Sequence, residues 1–275
     1  MRVLGRRLVG SLVVSTALPP RSALLACWLT AWLTGEASLP DLVARVTQHD
    51  ESHLVTGLWV DDLELEQAAG RLRAEGTRRV RVVLPYPGDP LGLPGPGPFT
   101  SAALVAGEGV LALREDGSGT GLVPALTAHG SELDGTVTTV LWTAYPISLS
   151  VPDQGPFMHE AEHDLRIGVV EATRALVDLD VARWSPDVAD ALRDLRRDAR
   201  RGIDDDELPG SWPPRARQVL VQARQLAAVV QLASLDVGGA VDSREAGERD
   251  RVLRDLARVV RRARVAAYNA YGVTT

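Results

Sequence analysis

The chain has 275 residues, of which 45% are apolar and 24% charged, and a formal net charge of −6. That is an ordinary globular composition, long enough for one large domain or two of common size and for a core that needs neither disulfide nor metal. All 30 basic residues are arginine, which excludes Schiff-base, lysine general-base and P-loop chemistry; the balance is −5 up to Gly155 (16 acids against 11 arginines) and −1 beyond it (20 against 19), so neither half is a nucleic-acid binder by bulk charge.

The first segment, "MRVLGRRLVGSLVVSTALPP", has early arginines and a modest apolar run diluted by Gly10, Ser11, Ser15 and Thr16. A secretory signal is the weaker reading of it; "LVVSTAL" as a strand ending at Pro19-Pro20 is the stronger. No stretch is long enough to span a membrane. "SALLACWLTAWLTG" predicts a helix with Ser22 as N-cap and Gly35 as its stop. Cys27 lies inside it among Leu and Trp, which fits an inert buried thiol and a reducing, cytoplasmic setting.

"LPDLVARVTQ" predicts a second short helix, and "HLVTGLWV" a strand. Asp61-Asp62 opens a helix through Ala74 that Gly76 closes, and "RRVRVVLPY" is the next strand. A short helix near "FTSAALVAG", a strand at "GVLAL" and a long β run, "GTVTTVLWTAY", follow. "GSGTG" at 117–121 comes after Glu115 and Asp116 and reads as a hairpin or loop tip. The mixture predicts an α/β or α+β sheet domain over 1–155.

From Pro156 to Thr275 the pattern is helical, with helices near 157–180, 186–201, 213–235 and 243–270, a four-helix bundle-like region. Ser185-Pro186 is a cap followed by a proline at the first helical position. The acidic run Asp204 to Glu207 reads as a solvated loop. Asp187, Asp190, Asp194 and Asp198 recur at helical spacing, as do Arg251, Arg254, Arg258 and Arg261/Arg262. Matching stripes of this kind predict a salt-bridge-laced bundle surface rather than a nucleic-acid face.

Two stretches invite a functional reading. "PYPGDPLGLPGPGP", residues 85–98, holds six prolines and four glycines between a strand and a helix. Its prolines lack the N–H groups a phosphate cradle needs. It is either a stiff crossing or a docking loop that presents Tyr86, Asp89, Leu91 and Leu93 to a partner or small ligand. "HEAEH", His159 to His163, fits H-E-x-x-H, in which two histidines one helical turn apart hold zinc and the glutamate, Glu160, polarises a bound water.

Against that zinc reading, no further His follows at the spacing a third ligand needs. The acidic Glu162 and Asp164 flank the motif, and Met158, Ala161, Leu165, Val169, Ala172 and Leu176 form an apolar stripe away from both histidines. Acidic residues also suit a helix N-terminus with no catalytic role.

"PGDPLGLPGPGPF" and "LDVARW" resemble segments of an uncharacterised family of actinobacterial proteins. The resemblance implies a GC-rich bacterial origin, in line with the missing lysine. It carries over no catalytic residue, and it does not include HEAEH. The expectation is a non-catalytic binding or scaffold protein, without cofactor, whose partner is another protein or a second copy of the chain. The rivals are a zinc-dependent hydrolase using His159, His163 and Glu160, and a small-ligand binder using the 85–98 loop.

Overall fold

The computed structural model describes residues 19–90, 92–131, 135–149, 155–178, 203, 206–235 and 243–271. The expected strand at 12–18, the helix at 186–201 with its aspartate stripe, and Leu91 lie outside the described residues. The protein is of the α+β class. It divides into two compact units: one holds residues 20–155 together with 205–212 and Tyr271, and the other is built from the C-terminal helices.

In the first unit, α1 (Arg21–Thr34) is buried around nearly its whole circumference, which accounts for its unbroken apolar run. It starts two residues earlier than expected, behind Pro20, and has no side-chain cap of its own. Ser22 is not the cap. Its backbone N–H and its hydroxyl both donate to Glu108, at 2.8 and 2.7 Å, so a carboxylate 86 residues away satisfies the exposed amide end of the helix. Gly35 ends α1 in the left-handed conformation, as expected. α2 (Leu39–Thr47) opens with a capping box between Ser38 and Asp41.

The six-stranded sheet contains β1 (Ser52–Thr56), β2 (Leu63–Glu64), β3 (Arg79–Val83), β4 (Gly109–Leu113), β5 (Ser118–Ser131) and β6 (Gly135–Ser148), in the order β2-β1-β6-β5-β4-β3. Only β1 and β6 run parallel. Two strand expectations are corrected. "HLVTGLWV" is not one strand: Gly57 turns the chain at φ 79°, and pairing resumes only at Leu63. Residues 117–121 are not a loop tip beyond Gly117; Ser118 already opens β5, the longest strand together with β6. α3 (Leu65–Ala74) follows β2 directly.

One face of the sheet carries His53, Val55, Val82, Val110, Leu122, Val140 and Trp142 and is buried. α1 packs on it along β3, β4 and β5, and α3 along β1. On the other face α4 (Pro98–Ala106) covers the β4–β5 side, with Phe99 and Ala103 against Val83, Leu111, Leu113, Val123 and Ile147. Phe99 lies flat on Gly121, where any Cβ would overlap its ring, and against Gly109. Among the described residues no helix covers the rest of this face, over β1 and the far half of the β5–β6 hairpin.

The segment 206–212 packs into the sheet unit, which corrects the solvated-loop expectation for its end. Glu207, Leu208 and Trp212 are buried. The Trp28 indole N–H donates to the Asp206 carbonyl at 3.2 Å, and Arg45 pairs with the Asp206 carboxylate. Trp212 stacks on Tyr271, whose hydroxyl bonds Thr34.

The second unit contains α5 (Met158–Asp178), α6 (Pro214–Leu235) and α7 (Ser243–Tyr268). Its inward face on α5 runs through Ala161, Leu165 and Gly168. Val169, expected on that stripe, is exposed, because the step from Leu165 to the packed position is three residues rather than four. Gly168 faces Leu226 of α6 and Leu256 and Val259 of α7. Arg215 pairs with Glu162 at 2.6 Å, and Arg258 with Asp255 at 3.2 Å.

Gly121→Val forces the Phe99 ring off its seat on β5. Overpacking of this kind costs about 1–3 kcal/mol, and thermal unfolding of the variant should show a Tm several degrees lower with Phe99→Leu partly restoring it.

Candidate functional site

Four polar side chains meet inside the sheet unit where β1 joins β6. The Arg21 guanidinium donates to both oxygens of Asp50, at 2.7 Å each. His53 Nε2 lies 3.1 Å from the Asp50 carboxylate, and Trp142 Nε1 lies 3.2 Å from His53 Nδ1. The side chains of Asp50 and His53 are 0% exposed.

An indole N–H only donates, so His53 Nδ1 must accept. The ring proton therefore sits on Nε2 and is donated to Asp50. Burial alone would raise the Asp50 carboxyl pKa. The hydrogen bonds from His53 and from Arg21, with the Arg21 charge, hold it below its ordinary 3.8. Both ring nitrogens of His53 are engaged by other members of the cluster, and the cluster is closed to solvent at Asp50 and His53. It ties α1, the turn after α2, β1 and β6 together.

The residues singled out in the sequence are scattered. Tyr86 and Asp89 exchange backbone hydrogen bonds of 3.3 and 2.8 Å around a tight turn with Gly88 at φ 86°. Tyr86 is exposed and Asp89 is buried. Leu93 packs against the core under α4, so it is turned inward. On α5, His159, Glu160 and His163 are all exposed, and Phe157 stacks on the His159 ring. Among the described residues no group of three or more His, Cys, Asp or Glu is placed to hold a metal ion.

The feature that best fits a binding role is the β5 edge. β4 pairs with β5 only as far as Leu122. Beyond it β5 continues to Ser131 with β6 on one side and, among the described residues, no strand on the other. Residues 125–130 are all exposed. This stretch, Val123 to Ser131, reads VPALTAHGS and carries no Asp, Glu, Arg or Lys. At about 3.3 Å per residue it offers roughly 30 Å of strand.

The hairpin around it exposes three apolar side chains, Leu126 at 51%, Val137 at 46% and Leu141 at 40%. Leu141, Val137, Thr139, Thr127 and Ala125 share the open face by register, with Leu54 beside Leu141.

The sheet's outer strands contrast with this edge. β2 is two residues long, and β3 carries Arg79 and Arg81 on one face. Burial, then the charge of Arg79, lowers Arg81 to about 10. Short length, charge and proline are among the devices by which natural edges avoid unwanted pairing; the free stretch of β5 is neither short nor charged, and its one proline, Pro124, stands near its start. Sequence reading missed this site because Gly119, Gly121, Gly130 and Pro124 conceal a strand whose residues alternate only weakly.

Comparison with known proteins adds the following. Residues 22–156 match the family described as Rv1486c-like protein, N-terminal domain, and residues 159–265 match its C-terminal domain. The Mycobacterium tuberculosis (strain H37Rv) protein named "Uncharacterized protein Rv1486c" is 30% identical over 284 residues, covering 90% of this chain and 96% of that protein. A Mycobacterium leprae relative, "Uncharacterized protein ML1804", is 29% identical over 293 residues with the same coverage. No solved structure matches the chain.

Asp50 is depressed in the folded state, so its contribution is present above the unfolded value and lost as pH falls through the folded one. Chemical denaturation across pH should show wild type losing stability from about pH 4 downward, whereas Asp50→Asn, already weaker at pH 7, loses less over that window, the remainder coming from other carboxylates such as Asp41 and Asp116 that folding also holds low. Removing one partner of a buried pair costs about 3–5 kcal/mol, the loss expected for Asp50→Ala. For HEAEH, protein loaded with zinc and then desalted should retain less than stoichiometric metal, with His163→Ala indistinguishable from wild type by elemental analysis.

Proposed function

The chain belongs to the Rv1486c-like protein family, and from that premise we propose that it is a non-catalytic binding or scaffold protein of the cytoplasm, which engages a protein through the free β5 edge and the open part of the sheet face beside it. The relatives' printed names assign no activity, so the reading rests on this chain's own residues. The observation that carries it is the uncharged stretch Val123–Ser131, exposed from 125 to 130 and, among the described residues, pairing with β6 alone.

A strand added there gains main-chain hydrogen bonds along its length, while the alternate side chains set specificity. The exposed Val137 and Leu141 on the open face, with Leu126 at the edge on the opposite face, provide the apolar contact that such an interface needs. A net charge of −6 and a strip without basic residues argue for a protein rather than a nucleic acid as partner. Among the described residues no helix is long and apolar enough to cross a membrane, in keeping with a partner in solution. Within the 85–98 loop, Tyr86 is the residue placed to add a separate contact.

A photo-crosslinking benzophenone side chain at Thr127 tests this in growing cells. Irradiation should yield one dominant protein adduct, identified by mass spectrometry. It should be lost when Ala125→Lys blocks the edge and absent when the crosslinker stands at exposed Thr34. An adduct pattern identical at Thr127 and Thr34 would sink the proposal.

A further inference from the structure

Resting on that reading, we infer that the strand received by β5 is β5 of a second copy of the chain, paired antiparallel about a twofold axis so that two six-stranded sheets become one continuous sheet. Three features of the edge select its own copy.

The first is charge. A chain of net charge −6 repels its own kind over most of its surface, and in self-pairing any charge on a strand meets a like charge on its equivalent or a near neighbour. Residues 123–131 contain no Asp, Glu, Arg or Lys, so this strip can face itself without that cost. The β3 edge cannot, because Arg79 and Arg81 would be brought to the partner's arginines.

The second is side-chain fit. With the axis at Thr127, Thr127 faces its own copy, Leu126 faces Ala128 twice, and Ala125 faces His129 twice. Residues opposite one another in an antiparallel pair lie on the same face. Leu126, 51% exposed in the single chain, is thereby covered by the partner's Ala128 on one face. On the other face Thr127 meets Thr127, a favourable cross-strand pair.

The third is where the free edge begins. β4 ends against Leu122, so the available length starts at Val123 and runs to Ser131, and the register centred on Thr127 uses all of it. An isologous twofold contact is also the commonest closed assembly. A nine-residue strand pair is small beside the roughly 1,200 Å² of a stable interface, so the association is reversible and concentration-dependent.

Light scattering of the full chain from micromolar to submillimolar concentration should rise from 29.5 kDa towards twice that mass. Thr127→Lys places two ammonium groups opposite each other, and Ala125→Lys sets one against His129. Each should weaken the dimer at least about tenfold while circular dichroism and Tm stay at wild-type values, since both positions are exposed.

As a second measurement, Thr127→Cys should cross-link to itself under mild oxidation and Thr34→Cys should not; Cys27 is buried and stays silent. A strict monomer throughout, or a dimer that both lysine variants leave intact, overturns the inference. If the chain is monomeric while the Thr127 adduct contains a different protein, self-pairing fails and the wider binding reading stands. If neither adduct nor dimer forms, both fail.

Discussion

The indole N–H of Trp142 is spent on His53, and this bond sets the frame around it. It leaves Nδ1 as acceptor, makes Nε2 the donor to Asp50, and leaves the outer Asp50 lone pairs to Arg21. Four residues from three parts of the chain are locked in one hydrogen-bonding pattern. Their shared task is the parallel contact between β1 and β6, where Ser52 lies beside Thr139, 87 positions away (139 − 52). A contact of that sequence separation carries a loop-closure cost that local pairing does not. The buried network supplies directional bonds at the place where the apolar register alone specifies least.

That junction also shapes the rest of the sheet. With β1 on one side of β6, β5 must lie on the other, and among the described residues the only further neighbour β5 has is β4. β1 reaches β6 only from Thr139 to Thr143, and β4 reaches β5 only from Gly119 to Leu122. The hairpin therefore outruns its neighbours on both sides, and its far half keeps an unpaired edge. The open edge and the buried tetrad are two results of one strand order: the tetrad closes the near half, and nothing among the described residues closes the far half.

Much of the architecture was legible from local pattern. The helices at 21–34, 39–47, 158–178 and 243–268 announce themselves through period, caps and breakers, and "GVLAL" and "GTVTTVLWTAY" through β-branched runs. What stayed hidden depends on distant partners. β5 looks like a loop partly because Gly121 makes room for Phe99, which lies flat upon it, and Gly119 for the close Ala112 backbone of β4; neither purpose is visible until α4 and β4 are in place. Asp50 and His53 sit three residues apart with no local sign of importance, since Arg21 and Trp142 are 29 and 89 residues away. Glu207 reads as solvated in an acidic run and is buried, because Trp28 and Arg45 hold the adjoining Asp206. Conversely, HEAEH has a clear local signature and faces water: a motif records spacing along one helix, and a metal site needs a donor from elsewhere.

The return of residues 206–212 and Tyr271 to the sheet unit bears on how the protein is made. A nascent chain that has emerged as far as residue 155 holds every strand among the described residues, yet not the Asp206 carbonyl to which Trp28 donates, nor Trp212 and the Tyr271 ring that stacks on it. The ribosome must add 116 more residues (271 − 155) before the last of these arrives, on the order of ten seconds at ordinary translation rates. During that interval the face of α1 that carries Trp28 stands bare, a ready target for a holdase. The sheet-bearing half, although first to be translated, is among the last parts to be finished.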